Sequence, residues 1–165
     1  MSNEFNQALS NFINDFAGGG AIRHLADSGY TVGEICEKID YPMPKNKVAE
    51  IVWKHYIDIG KICLEEPGTI HKEVSYVKEQ DSYGHISMRR VVKEQDISDK
   101  KYVVVDFGKQ IYQDLAAFEK SLEGLDKKDK DYILDLPWPL TPVYHESDER
   151  MNRILRIRAG ILGYL

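Results

Sequence analysis

The sequence predicts an α+β fold: helices first, a long β-hairpin in the middle, then a strand and C-terminal helices. Three observations carry this. Before Gly60, apolar residues recur at i, i+3, i+4 and i+7, the spacing of one helix face. Between Lys72 and Glu94, two strand-like segments flank the turn "DSYG". Beyond Lys101, the β-branched run "KYVVVDF" gives way to helical spacing again.

The N-terminal segment spaces Phe5, Leu9, Phe12, Ile13 and Phe16 along one face of an expected amphipathic helix, ended by Gly18-Gly19-Gly20. A second helix is expected from about Ala21 to Ser28, with Gly29 as its left-handed cap. The third has a capping box, Thr31 as N-cap and Glu34 three residues on, and buries Val32, Ile35, Cys36 and Ile39. "YPMPKN" forms a turn, and Pro44 suits the first turn of a fourth helix that runs to about Ile59 and stops at Gly60. "KICLEE" is a short strand, and "KEVSYVKEQ" with "HISMRRVVKE" makes the hairpin. "KYVVVDF" is expected to be a strand buried on both faces. One helix is expected from about Gly108 to Leu122, with Ile111, Leu115 and Phe118 inward, and a short one over "LDKKDKDYILDL". The prolines of "LPWPLTP" require extended chain around a buried Trp138, and a last helix runs from about Ser147 to the end.

With 165 residues, 42% hydrophobic and 30% charged, the chain has the composition of a globular protein. No run of eighteen apolar residues and no basic-then-apolar leader is present, so neither a membrane span nor a signal peptide is expected. Cys36 and Cys63 are isolated thiols that suit a reducing cytoplasm. The formal charge is −5, and no large block is strongly basic: residues 1–70 hold six Lys/Arg against ten Asp/Glu, 71–101 seven against six, and 102–165 nine against eleven. Only the end of the chain, with Arg150, Arg153, Arg156 and Arg158 and no acid, is locally basic.

Chemistry-bearing motifs are missing. The Gly-rich run has no following Lys-Ser/Thr, so it is no phosphate loop. His24, His55, His71, His85 and His145 are scattered without metal-ligand spacing, and no nucleophile or dinucleotide motif occurs. No enzymatic activity, cofactor or metal is expected.

The order helix, capped helix, turn, helix ending in glycine, then hairpin resembles the winged helix-turn-helix superfamily. "IRHLADSGYTVGEICEKI" corresponds to its first two helices and "AEIVWKHYIDIGKI" to its third, with Ala49, Val52, Trp53 and Tyr56 inward and Gly60 and Ile62 opening the first wing strand. The resemblance covers about residues 21–95 and departs from the compact form in "DYPMPKNK" and in a long wing. It divides the chain into an N-terminal helix (1–20), a winged-helix-like domain (21–100) and a C-terminal strand-and-helix appendage (101–165). It implies that the third helix enters the major groove of duplex DNA and that the wing touches the backbone. Winged helices also serve as protein-interaction modules.

On that helix, Lys47, Glu50, Lys54, Asp58 and Lys61 form a stripe of alternating sign. Such a stripe has little net charge to set against phosphate, and Glu50 sits at its centre. The nucleic-acid candidates are therefore Lys45, Asn46, Lys47 and Lys54 on the helix, with Arg89 and Arg90 on the wing. On the last helix, Met151, Ile154, Leu155, Ile161, Leu162 and Leu165 share an apolar arc, which either packs within the chain or pairs two copies; Met151, Ile154, Leu155 and Leu162 are the candidate dimer interface. Two functions follow as expectations. One is a small cytoplasmic DNA-binding transcription regulator, dimeric through its last helix. The other is a protein-interaction module on the same scaffold, with no DNA binding.

Overall fold

The structure, a computed structural model, describes residues 19–162; the expected N-terminal amphipathic helix lies outside the described residues. Helix α1 covers residues 19–27 and ends at Gly29, whose φ of +89° is the left-handed cap expected there. Helix α2 (Val32–Lys38) carries the complete capping box: the Glu34 amide donates to the Thr31 hydroxyl, and the Thr31 amide donates to the Glu34 carboxylate. That amide donation, foremost, holds the Glu34 carboxyl below the usual range. Helix α3 (Lys45–Asp58) follows Pro44, buries Val48, Ala49, Val52 and Tyr56, and ends at Gly60 with φ +75°. The ring of His71 lies against Gly60, so a side chain there would meet both strain and a clash.

Two antiparallel sheets follow. Strands β2 (Ile70–Gln80) and β3 (Ile86–Asp96) form a two-stranded ribbon in unbroken register, from Ile70 opposite Asp96 to Gln80 opposite Ile86. The ribbon is the hairpin expected from sequence. The second sheet has the order β1-β5-β4, from β1 (Ile62–Cys63), β4 (Tyr102–Val105) and β5 (Val143–Glu146). Strand β1 therefore does not join the ribbon as a first wing strand. It pairs with β5, eighty residues on, through Ile62 opposite His145.

Strand β5 is the element that sequence reading passed over, and it is the central strand. Val143 and His145 point into the core, while Tyr144 and Glu146 are half-buried. Strand β4 lies at the sheet edge: Val105 is buried but Val104 is 60% exposed, so this strand is not covered on both faces as expected. The helix expected over 108–122 is two helices, α4 (Phe107–Gln113) and α5 (Leu115–Ser121). The break is at Asp114, whose side chain accepts from the Ala117 amide as N-cap of the second helix, a local bond that competes with helix continuation. Helix α6 (Lys127–Leu134) and helix α7 (Glu149–Leu162) complete the chain.

One core joins all of this. Ile22, Ile35, Val52 and Tyr56 from the first helices pack in the same cluster as Phe107, Phe118, Ile133, Trp138, Met151 and Ile154. The described part of the stretch 101–165, expected as an appendage, thus contributes to the common core. Trp138, buried as expected, meets Phe107 and Trp53 edge-on and donates from Nε1 to the Ile133 carbonyl. Its neighbourhood depends on Gly108: a Cβ there would stand 1.9 Å from the Pro139 carbonyl oxygen. Gly108→Ala should therefore destabilise the protein by about 2 kcal/mol or more through overpacking, read as a lowered urea midpoint.

His145 is fully buried. Its Nδ1 lies 2.6 Å from the Glu146 carbonyl and its Nε2 2.8 Å from the Tyr132 hydroxyl, so the neutral ring donates at one end and accepts at the other. Burial is the main cause that lowers its pKa. Because the folded value is depressed, its stabilisation is complete above the unfolded value of about 6.5 and is lost as pH falls through the folded value. The urea midpoint should fall between pH 7.5 and pH 5. His145→Gln should start lower and show a shallower dependence.

Candidate functional site

Two surface features stand out among the described residues: a groove along α3 and the ribbon. The first is an open groove of ≈ 550 Å³ along α3, lined by Gly19 and Arg23 of α1, by Pro42, Met43 and Pro44 of the turn, and by Lys47, Glu50, Ile51, Lys54, His55 and Asp58. Four of the five residues of the alternating stripe, Lys47, Glu50, Lys54 and Asp58, thus line the groove together with the apolar Ile51 and Met43. His55 is anchored beneath it, its Nε2 2.7 Å from the Asp27 carboxylate. Burial raises the Asp58 pKa above the ordinary carboxylate range, and Lys54 opposes that shift.

The structure separates the nucleic-acid candidates. Lys45 is bound to Asp135 at 2.9 Å, tying the start of α3 to the end of α6, and that bond is the first cause of its raised pKa. Asn46, Lys47 and Lys54 are exposed. Lys61, the end of the stripe, lies over the Tyr56 ring and 3.6 Å from Asp148. On the ribbon, Arg89 pairs with Glu79, while Arg90 lies on the opposite face, across from Tyr76. Lys47, Lys54 and Arg90 therefore do not converge into one cationic patch on a single element.

The second surface is the ribbon. Its strands are about 36 Å long at the usual rise. Period-two alternation places Ile70, Val74, Tyr76, Ile86, Met88 and Val92 all on one face. Of these only Val74 is half-buried; Tyr76 is 51% exposed and Ile86 52%. The other face carries His71, Glu73, Ser75, Val77, Glu79, Arg89, Val91 and Lys93. That is the face turned to the body, because His71 hydrogen-bonds to the Asp58 carbonyl and Glu73, Ser75 and Val91 are half-buried. The tip is ordered by Asp81, which accepts from the amides of Tyr83 and His85 and is held below its usual range, first by the His85 amide. Sequence reading weighed this ribbon by its charges and missed its apolar face. The signal was present in the alternation, but the side left uncovered depends on where the body lies.

The last helix packs one side within the chain, while Ile161 on it is exposed. Met151 and Ile154 are fully buried in the common core, and Leu155 packs against it, so Met151 and Ile154 cannot form a dimer interface. The side chain of Leu162 lies outside the described residues. Its arginines also turn inward. Arg153 makes two bonds to the buried Asp129 carboxylate at 2.8 and 2.9 Å, and Arg150 donates to the Gly29 carbonyl and covers the Tyr132 ring. Arg158 reaches Ser121 and lies over Phe118. Only Arg156 is left at the surface of this group.

Burial is the first cause that raises the pKa of Cys36 and of Cys63, a shift away from the reactive thiolate. No family model, curated protein or solved structure matches the chain. No helix among the described residues is long and apolar enough to cross a membrane.

Because Ile154 belongs to the core, Ile154→Ala should cost about 2–4 kcal/mol of stability, measured by urea unfolding. A dimer contact at this residue would instead predict lost assembly with the unfolding midpoint of a dilute sample unchanged.

Proposed function

We propose that this chain is a non-catalytic binding module that engages protein, on a scaffold whose helical order resembles a winged helix. The observation that carries the reading is the apolar face of the ribbon. Five large apolar side chains are exposed along one side of a projecting element, on the order of 400 Å² of apolar area, the size of a typical monomer's largest patch, which is often functional. The groove along α3 agrees in character. An apolar floor under alternating charges suits a polypeptide, whereas a phosphate backbone would meet Glu50 at its centre.

DNA binding is the second reading, favoured by one feature: Lys47 and Lys54 are exposed on the same wall of the groove, across from Arg23. Phosphate contacts would make duplex binding weaken steeply with salt, and Lys47→Ala or Lys54→Ala would flatten the slope by about one each. The protein-binding reading expects no salt-sensitive retention of a random duplex pool at low ionic strength. It also expects a photo-crosslinker in place of Tyr76 to give discrete protein adducts in cells, and one in place of Val77, on the opposite face, to give none. Steep salt dependence with no Tyr76 adduct would replace it with the DNA reading.

A further inference from the structure

We infer that the apolar ribbon face is a self-association surface: two copies of the chain stack ribbon on ribbon, antiparallel, about a two-fold axis. The inference rests on the protein-binding reading and names the partner. Three properties of the face point to a second copy.

The first is the distribution of charge. At the body end the face carries Glu94 and Asp96, with Lys72 held 3.4 Å from Glu94. In the outer half it carries Lys78 and Arg90 and no acid. An antiparallel two-fold arrangement sets the acidic end of each ribbon against the basic half of the other, while a parallel one sets like end against like end. A two-fold contact uses one patch twice, so the patch must complement itself, and here the halves do so in net charge, although Lys72 meets the level of the partner's Lys78.

The second is the order of the apolar residues. With the two-fold axis passing between the Val74–Val92 pair and the Tyr76–Arg90 pair, each Tyr76 meets the level of the partner's two valines. Ile70, at one end, meets the level of Ile86 at the other, and Glu94 meets the level of Lys78. The end and central levels bring apolar residues together, while the charged Lys72–Glu94 level meets the partner's Lys78–Met88 level. Packed sheets stand about 10 Å apart, the distance that such side chains fill when they interdigitate.

The third is access and area. The body packs against the root of the opposite face, while Ile70, Tyr76, Ile86, Met88 and Val92 on this one are exposed to a partner. The apolar area, with the flanking Lys72, Lys78, Gln80, Arg90, Glu94 and Asp96, approaches the roughly 800 Å² per partner of a standard interface from below. A face-to-face contact covers that area. Edge-to-edge pairing of the two ribbons would leave every one of these apolar side chains in water.

With half of the face polar, the expected dimer is a weak one that dissociates at about micromolar concentration. Sedimentation velocity of the full chain from 1 to 200 μM should show a monomer giving way to a dimer of twice 19.0 kDa. Tyr76→Lys with Met88→Lys should weaken association at least about 30-fold, as loss of a central anchor does. The variant should keep the thermal transition of the body. Val77→Lys, on the other face, should leave association unchanged. Lys78→Glu and Glu94→Lys should each weaken the dimer several-fold, and the double exchange should recover most of the loss.

A wild-type chain that stays monomeric at 200 μM, or a Tyr76→Lys/Met88→Lys variant that dimerises normally, overturns the inference. The crosslinker at Tyr76 then separates the two failures. A discrete adduct with a different protein leaves the protein-binding reading standing without self-association. No adduct at all removes both. An adduct at twice the chain mass that the charge exchange abolishes and restores supports the stack as drawn.

Discussion

Strand β5 is the closure on which the rest of the structure depends. It lies between β1 and β4, which bracket the ribbon in sequence, and so fixes both ends of the excursion from 63 to 102. Backbone bonds extend the closure at each end: the Glu146 amide donates to the Lys61 carbonyl, and the Ser147 amide to the Lys101 carbonyl. The Ile97 amide donates to the Thr69 carbonyl and pins the root of the ribbon. A ribbon held only at its root must project. The same strand places His145 in the core, where its two ring nitrogens join the strand's own backbone to Tyr132 of α6. Closure, projection and the buried histidine are consequences of one four-residue pairing.

The arginines of α7 show folding competing with surface function for the same charges. Asp129 is almost wholly buried, and an unpaired carboxylate there would cost several kcal/mol. Arg153 meets it with two parallel bonds, and Arg150 lies 3.8 Å from it on the other side. A buried acid thus draws two cations out of the only locally basic segment in the chain. Lys45 and Lys61 are drawn in the same way, by Asp135 and by Asp148 with two tyrosine rings. The acidic total then matters less than its placement: these acids take cations that would otherwise be open to phosphate.

Much of the helical fold was legible because local chemistry encodes it. The box at Thr31 and Glu34 and the glycines at 29 and 60 are short-range signals, and each does in the structure what its residue type requires. The hairpin was legible for the same reason, since its turn and its strands are contiguous. Elements set by distant partners were not. "VYHE" has two polar residues among four and follows a proline-rich stretch, so only its pairing with β1 and β4 identifies it as a strand. Ile111, Leu115, Phe118 and Leu122 keep helical spacing across Asp114, and that spacing hides a break made by one side-chain bond. On α7 the apolar arc of Met151, Ile154 and Leu155 reads the same whether it faces its own core or a second chain. Periodicity gives the face and is silent about what lies opposite it.

The ribbon presents the converse problem, a face with nothing opposite it. Two eleven-residue strands order 22 residues, each at a cost of about 1–2 kcal/mol in conformational entropy. An isolated two-stranded ribbon is marginal in water even before one face is left apolar. Here the body supports only the root, through His71 on Gly60, and the Asp81 turn supports only the tip. Between them the apolar side chains that would offset the entropy remain in solvent. Charges on the same face, Lys72 and Glu94 among them, keep it from being a featureless sticky surface, and their uneven placement gives it an orientation. A long ordered ribbon with a one-sided apolar face is the expected form of an element whose middle is stabilised by covering that face. The span between root and tip is therefore where partner binding and ribbon order are coupled.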